Sequence, residues 1–180
     1  VMLIVGVFLG FLNGAIVTKL KIPSFIVTLC TQNLWAFIAL YFCPNGSVAV
    51  GMEDRKEIAW MTDKIFGIPV IFLVAVIVLI FLYIFQQYTP SGRTIFAVGA
   101  NVRAARLAGV NTDRAQIMAF AVSGACSSLA GALYAYKQKS AVPTIGDALT
   151  LSAIASIALG GTSMAGGRGS VLRMSVGVVT

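Results

Sequence analysis

Residues 67–85 read Gly-Ile-Pro-Val-Ile-Phe-Leu-Val-Ala-Val-Ile-Val-Leu-Ile-Phe-Leu-Tyr-Ile-Phe. The stretch holds 19 residues and no charge. A helix needs about 20 predominantly apolar residues to cross the hydrocarbon core of a bilayer. A helix that is apolar on every side offers no face to water, so lipid must contact most of its surface. These residues predict a membrane-spanning helix, and they set the solvent in which the rest of the chain is read.

Three further apolar runs lie on either side, at residues 1–18, 22–43 and 115–136. The composition reflects them. Hydrophobic residues make up 58% of the 180 and charged residues 11%, against roughly a quarter charged in an ordinary soluble domain. Backbone N–H and C=O groups in hydrocarbon have to be satisfied within the segment itself. The expected fold is therefore an all-α, polytopic helical membrane protein with about five to six transmembrane segments. One of these is irregular. Leu149–Leu159 alone is too short to span, and Gly160-Gly161-Thr162-Ser163 and Gly166-Gly167-Arg168-Gly169 interrupt the chain beyond it. That pattern predicts a broken or re-entrant helix. The chain starts and stops inside apolar runs, so residues 1–180 are expected to be part of a longer membrane protein, truncated at both ends.

Two runs carry small residues at helical spacing. Gly6, Gly10 and Gly14 recur every four residues and line one face. In the fourth run Ser123, Ser127, Gly131 and Ala135 do the same. Small faces let helix backbones approach closely in lipid, so Gly6, Gly10, Gly14, Ser127 and Gly131 are candidate packing positions.

The charges fall between the runs. Residues 44–66 hold Glu53, Asp54, Arg55, Lys56, Glu57, Asp63 and Lys64 and form an extramembrane loop, and Thr89-Pro90-Ser91-Gly92 reads as a turn. If the helices alternate, one side receives Lys19, Lys21, Arg93, Arg103, Arg106 and Arg114, and the other Arg55, Lys56, Lys64, Lys137 and Lys139. Cytoplasmic connections carry the excess of Lys and Arg. The dense 93–114 cluster places 86–114 in the cytoplasm and 44–66 outside. The net charge of +7 thus marks orientation and contact with a lipid bilayer, and no nucleic-acid partner is expected. Three cysteines, Cys30, Cys43 and Cys126, with no histidine, match no metal site.

Within 86–114, Asn101 can cap a helix N-terminus and Gly109 can close its C-terminus. Between them, Arg103, Ala104, Ala105 and Arg106 sit on a short helix whose small surface suits insertion into a partner's groove. The alternative is an ordinary basic loop that meets lipid headgroups. A second set, Thr28, Thr31, Gln32 and Trp35, shares one face of the second run. Hydroxyls, an amide and an aromatic ring suit a neutral sugar, and they equally suit hydrogen bonding between helices. Asn13, beside the glycine face, has the same two readings. No Asp, Glu, Lys, Arg or His lies inside the four runs, whereas ion-coupled transporters commonly carry such groups in the membrane. The chain also lacks a G-x-x-x-x-G-K phosphate loop. No catalytic residue is expected.

The stretch Gly92-Arg93-Thr94-Ile95-Phe96-Ala97-Val98-Gly99-Ala100-Asn101, with Ala104-Ala105-Arg106-Leu107-Ala108-Gly109-Val110-Asn111, resembles the cytoplasmic loop of ribose-type sugar ABC importer permeases. Asn13-Gly14 with Lys19-Leu20-Lys21-Ile22-Pro23-Ser24-Phe25-Ile26-Val27-Thr28-Leu29 resembles the same family. So does Ala153-Ile154-Ala155 with Leu159-Gly160-Gly161-Thr162-Ser163 and Gly166-Gly167-Arg168-Gly169-Ser170-Val171. The resemblance implies a permease subunit of a bacterial inner-membrane sugar importer. It would pair with an identical or similar second permease subunit, bind ATPase subunits that hold ATP and Mg, and receive sugar from an extracytoplasmic binding protein. The chain itself would be no enzyme and bind no cofactor. In this resemblance Ala104, Ala105 and Gly109 fall on the coupling helix that docks on the ATPase. Arg103 stands where that family often has Glu. Thr150 and Ser152 stand where acidic residues are frequent. A secondary transporter or channel working without an ATPase is the alternative.

Overall fold

The computed structural model describes residues 1–43, 46–49, 64–65 and 68–161. Seven helices and four two-residue strands succeed one another among them: α1 Met2–Leu20, α2 Ser24–Phe42, β1 Val48–Ala49, β2 Lys64–Ile65, β3 Ile68–Pro69, α3 Val70–Tyr88, α4 Pro90–Ala100, α5 Val102–Leu107, α6 Thr112–Gln138, β4 Ser140–Ala141 and α7 Ile145–Leu159. Helices α1, α2, α3 and α6 are long and apolar enough to cross a membrane. At 1.5 Å per residue the first three measure about 28 Å and α6 about 40 Å, against a hydrocarbon core of about 30 Å. Helix α7, at 15 residues, reaches only about 22 Å. It contains the short apolar run Leu149–Leu159 noted in the sequence. The glycine-rich stretch at 162–170 that was expected to break it lies outside the described residues.

The chain divides into two compact units. The first comprises Val1–Ala75 and Ile117–Thr144. Its organising contact is between α1 and α6. Gly6, Gly10 and Gly14 are the buried residues of α1. A Cβ on Gly6 would overlap the Ser128 side chain, one on Gly10 would overlap the Phe120 carbonyl oxygen, and one on Gly14 would come within 2.9 Å of the Ile117 Cα. From the other side, a Cβ on Gly124 would overlap the Gly6 carbonyl. As the α1 number rises, the α6 number falls, so the helices cross antiparallel with their backbones in contact. This is the close approach that a small-xxx-small face permits.

The small face on α6 differs from the expected one. Gly124 and Ser128, with Phe120 and Ile117, meet α1. Ser123, Ser127 and Gly131 lie on an exposed face, and a Cβ on Gly131 would meet nothing within 4 Å. Both stripes obey the helical period. Gly124 seats the contact: a Cβ there would overlap the Gly6 carbonyl, whereas Gly131 on the other stripe meets nothing within 4 Å.

Strands β1 and β4 pair antiparallel, with Val48 opposite Ala141 and Ala49 opposite Ser140. They join the connection that leaves α2 to the connection that leaves α6. Strands β2 and β3 form a second antiparallel pair, Lys64 opposite Pro69 and Ile65 opposite Ile68.

The second unit comprises Val76–Gln116 and Ile145–Thr180. Here Thr89–Gly92, expected as a turn, starts helix α4 instead. Pro90 occupies the first helical position, where its missing N–H costs little, and the Thr89 hydroxyl accepts from the Gly92 N–H at 3.1 Å. A Cβ on Gly92 would overlap the Phe85 carbonyl, so this glycine serves a tight elbow between α3 and α4. Apolar side chains along α1, α2 and α3 remain exposed, Phe37 at 72% and Phe81 at 65% among them, as a hydrocarbon solvent requires.

Candidate functional site

The residues between Asn101 and Asn111 build a helix of six residues closed at both ends. Asn101 has extended backbone angles and ends α4 while starting α5. Its side-chain oxygen accepts from the Ala104 N–H at 3.0 Å, satisfying one of the orphan donors of the first turn. At the other end Gly109 adopts φ +81°. Its N–H donates to the Arg106 carbonyl at 3.1 Å, and the Val110 N–H donates to the Ala105 carbonyl at 3.0 Å. That pair of bonds is a Schellman motif, which usually carries an apolar contact between the residues its longer bond joins. Here those residues are Ala105 and Val110. Ala105 is buried in a small core with Val98 of α4 and Ala115 of α6, and Val110 packs against it. Asn111 then caps α6 by accepting from the Arg114 N–H at 3.0 Å.

Arg106 adds a second tie. Its Nη2 donates to the Thr112 hydroxyl at 3.0 Å and stands 3.7 Å from an Asp113 carboxylate oxygen. Thr112 in turn donates to Asp113 at 3.3 Å. The candidate docking residues therefore separate. Ala105 turns inward and Arg106 reaches to the start of α6, while Asn101, Arg103, Ala104 and Gly109 are exposed. Leu107, which sequence reasoning passed over, is 90% exposed. The signal for it was present: a glycine at 109 fixes the Ala105–Val110 contact, and Leu107, about 200° around the helix from Ala105, must point the other way.

The second set lies on α2. Thr28, Thr31 and Gln32 are half-buried and Trp35 is 39% exposed. The Thr28 hydroxyl donates to the Ser24 carbonyl at 3.0 Å, and the Thr31 hydroxyl to the Val27 carbonyl at 3.0 Å. Each hydroxyl hydrogen is thereby used inside the helix, leaving an oxygen that can accept. Asn13 is half-buried, one residue before Gly14.

A family model described as branched-chain amino acid transport system, permease component, matches residues 1–179. The chain is 36% identical over 182 residues to the ribose import permease protein RbsC of Haemophilus influenzae, covering 99% of this chain and 56% of that protein. It is 35% identical to the protein of the same name from Bacillus subtilis, covering 93% and 52%. It is 37% identical to the autoinducer 2 import system permease protein LsrC of Photorhabdus laumondii, covering 97% and 52%. The chain spans about half the length of the curated relatives it matches. No solved structure matches it.

Proposed function

This chain belongs to the branched-chain amino acid transport system, permease component, family, a multi-pass protein of the bacterial inner membrane, and from that premise we propose that it supplies part of the translocation pathway of an ATP-driven importer for a pentose or related small sugar. Separate ATPase subunits, holding ATP and Mg, dock on α5. A second permease subunit completes the pathway across the membrane, and an extracytoplasmic binding protein delivers the sugar. Binding and hydrolysis of ATP displace α5, and the helices attached to it carry the displacement into the membrane as alternating access.

The observation that carries the reading is the construction of α5. A six-residue helix is too short to hold its shape by its own backbone bonds. This one is fixed by Asn101, by the Gly109 motif and by the Ala105 core, so a push on it moves α4 and the start of α6 together. The uncharged interiors of the four spans support an energy source outside the membrane. The acceptor oxygens of Thr28 and Thr31 support a solute rich in hydroxyl donors, and the ribose named for two relatives supports a small sugar.

The test is uptake of labelled ribose by proteoliposomes holding the full-length permease, its ATPase and its binding protein. Uptake should require ATP and fall at least tenfold when Gly109 is changed to Val, a residue that φ +81° excludes. Uptake without ATP, driven by a proton or sodium gradient, would instead assign the protein to secondary transport.

A further inference from the structure

Resting on that reading, we propose that the ATPase seats on the outward half of α5, with Leu107 filling an apolar socket whose rim is acidic, while Ala105 and Arg106 hold the helix from behind. Leu107 is the most exposed large apolar side chain among the described residues of the second unit, at 90%. It stands on a segment outside the four spans, where no lipid core covers it. Ala104 and Ala108, three residues before it and one after, are exposed as well, so the leucine projects from a low surface. The shape is a single knob on a flat face.

Charge gives the rim. Arg93, Arg103 and Arg114 are exposed, while Arg106 is paired with Asp113, the one acid within 93–114. A partner surface that approaches this field gains from carboxylates around the socket and loses from cations. A lipid surface would also attract the arginines. It would want a broad apolar face of several large residues on an amphipathic helix, and α5 offers Leu107 with Val102 at 40% exposure. One knob with small flanks fits a protein socket.

The experiment is co-purification of the tagged full-length permease with its own ATPase subunit in detergent without added lipid. Leu107→Asp should retain at least tenfold less ATPase than the wild type, and Leu107→Met should stay within about twofold of it. Ala104→Leu, which costs the helix little and adds bulk to the same face, should also release the ATPase. Capture by the wild type should weaken severalfold between about 0.1 and 0.5 M salt. Wild-type retention by Leu107→Asp overturns the proposal. So does a loss seen only in nanodiscs of anionic lipid, which would give Leu107 to the membrane. Failure of the wild type itself to retain the ATPase sinks the importer reading instead, and the two failures are thereby distinguished.

Discussion

At Gly10 a single methyl group decides whether two helices meet. A Cβ there would overlap the Phe120 carbonyl oxygen, and backbone on both sides leaves nothing flexible to give way. Gly10→Val is expected to destabilise the full-length protein by about 1–3 kcal/mol, read as a lowered unfolding midpoint in detergent. Gly131 is the control. A Cβ there meets nothing within 4 Å, so Gly131→Ala should be neutral or stabilise by up to about 1 kcal/mol through helix propensity. A larger loss at Gly131 than at Gly10 would contradict the α1–α6 contact. The sequence could place both glycines on small-residue faces. It could not say which face of α6 turns to α1, because a stripe at 123, 127 and 131 has the same period as one at 120, 124 and 128.

At the scale of the element, α5 shows what makes a short helix readable. Asn101 and Gly109 are chemically committed to the ends of a helix, one by its side-chain acceptor and the other by its left-handed backbone, and both stand where the residue pattern placed them. The inward face was less legible. Ala105 and Arg106 look like docking residues in sequence because their neighbours are small and basic. In the structure they serve the core and the tie to Thr112. Thr89-Pro90-Ser91-Gly92 is ambiguous in sequence for a related reason: Pro and Gly favour turns, but Pro also favours the first helical position. Removing the cap with Asn101→Ala should cost α5 about 1 kcal/mol. Hydrogen exchange at the Ala104 and Ala108 amides should then quicken about fivefold, since local opening sets that rate. Asn101→Asp should keep the wild-type rate. Equal exchange in Asn101→Ala and wild type would remove the cap from the account of how α5 is held.

Over the whole molecule, the alternation of spans expected from the sequence has one point of comparison within the first unit, the pairing of β1 with β4. If the spans alternate, the connections after α2 and after α6 fall on one side of the membrane, and Val48 and Ala49 are hydrogen-bonded to Ala141 and Ser140. The distribution of Lys and Arg is the ground for expecting the basic segment around α5 on the opposite side, with Lys19 and Lys21. In a cysteine-free background, a cysteine at Lys139 should react in intact cells with a membrane-impermeant thiol reagent, and one at Arg103 only after the membrane is opened. The reverse pattern would invert the orientation and overturn the proposed docking of an ATPase on α5.

The glycine contact between α1 and α6 also orders events in time. Helix α1 is the first of the described spans to be made, and its Gly6–Gly10–Gly14 face is complete by residue 14, yet the surface that fills it ends at Ser128. At ordinary rates of synthesis the interval is on the order of ten seconds. Throughout it the face lacks its α6 partner, and α2 and α3 are made before the helix that fits it. The glycine contact is therefore a late one: it closes only when the last of the four long described helices arrives.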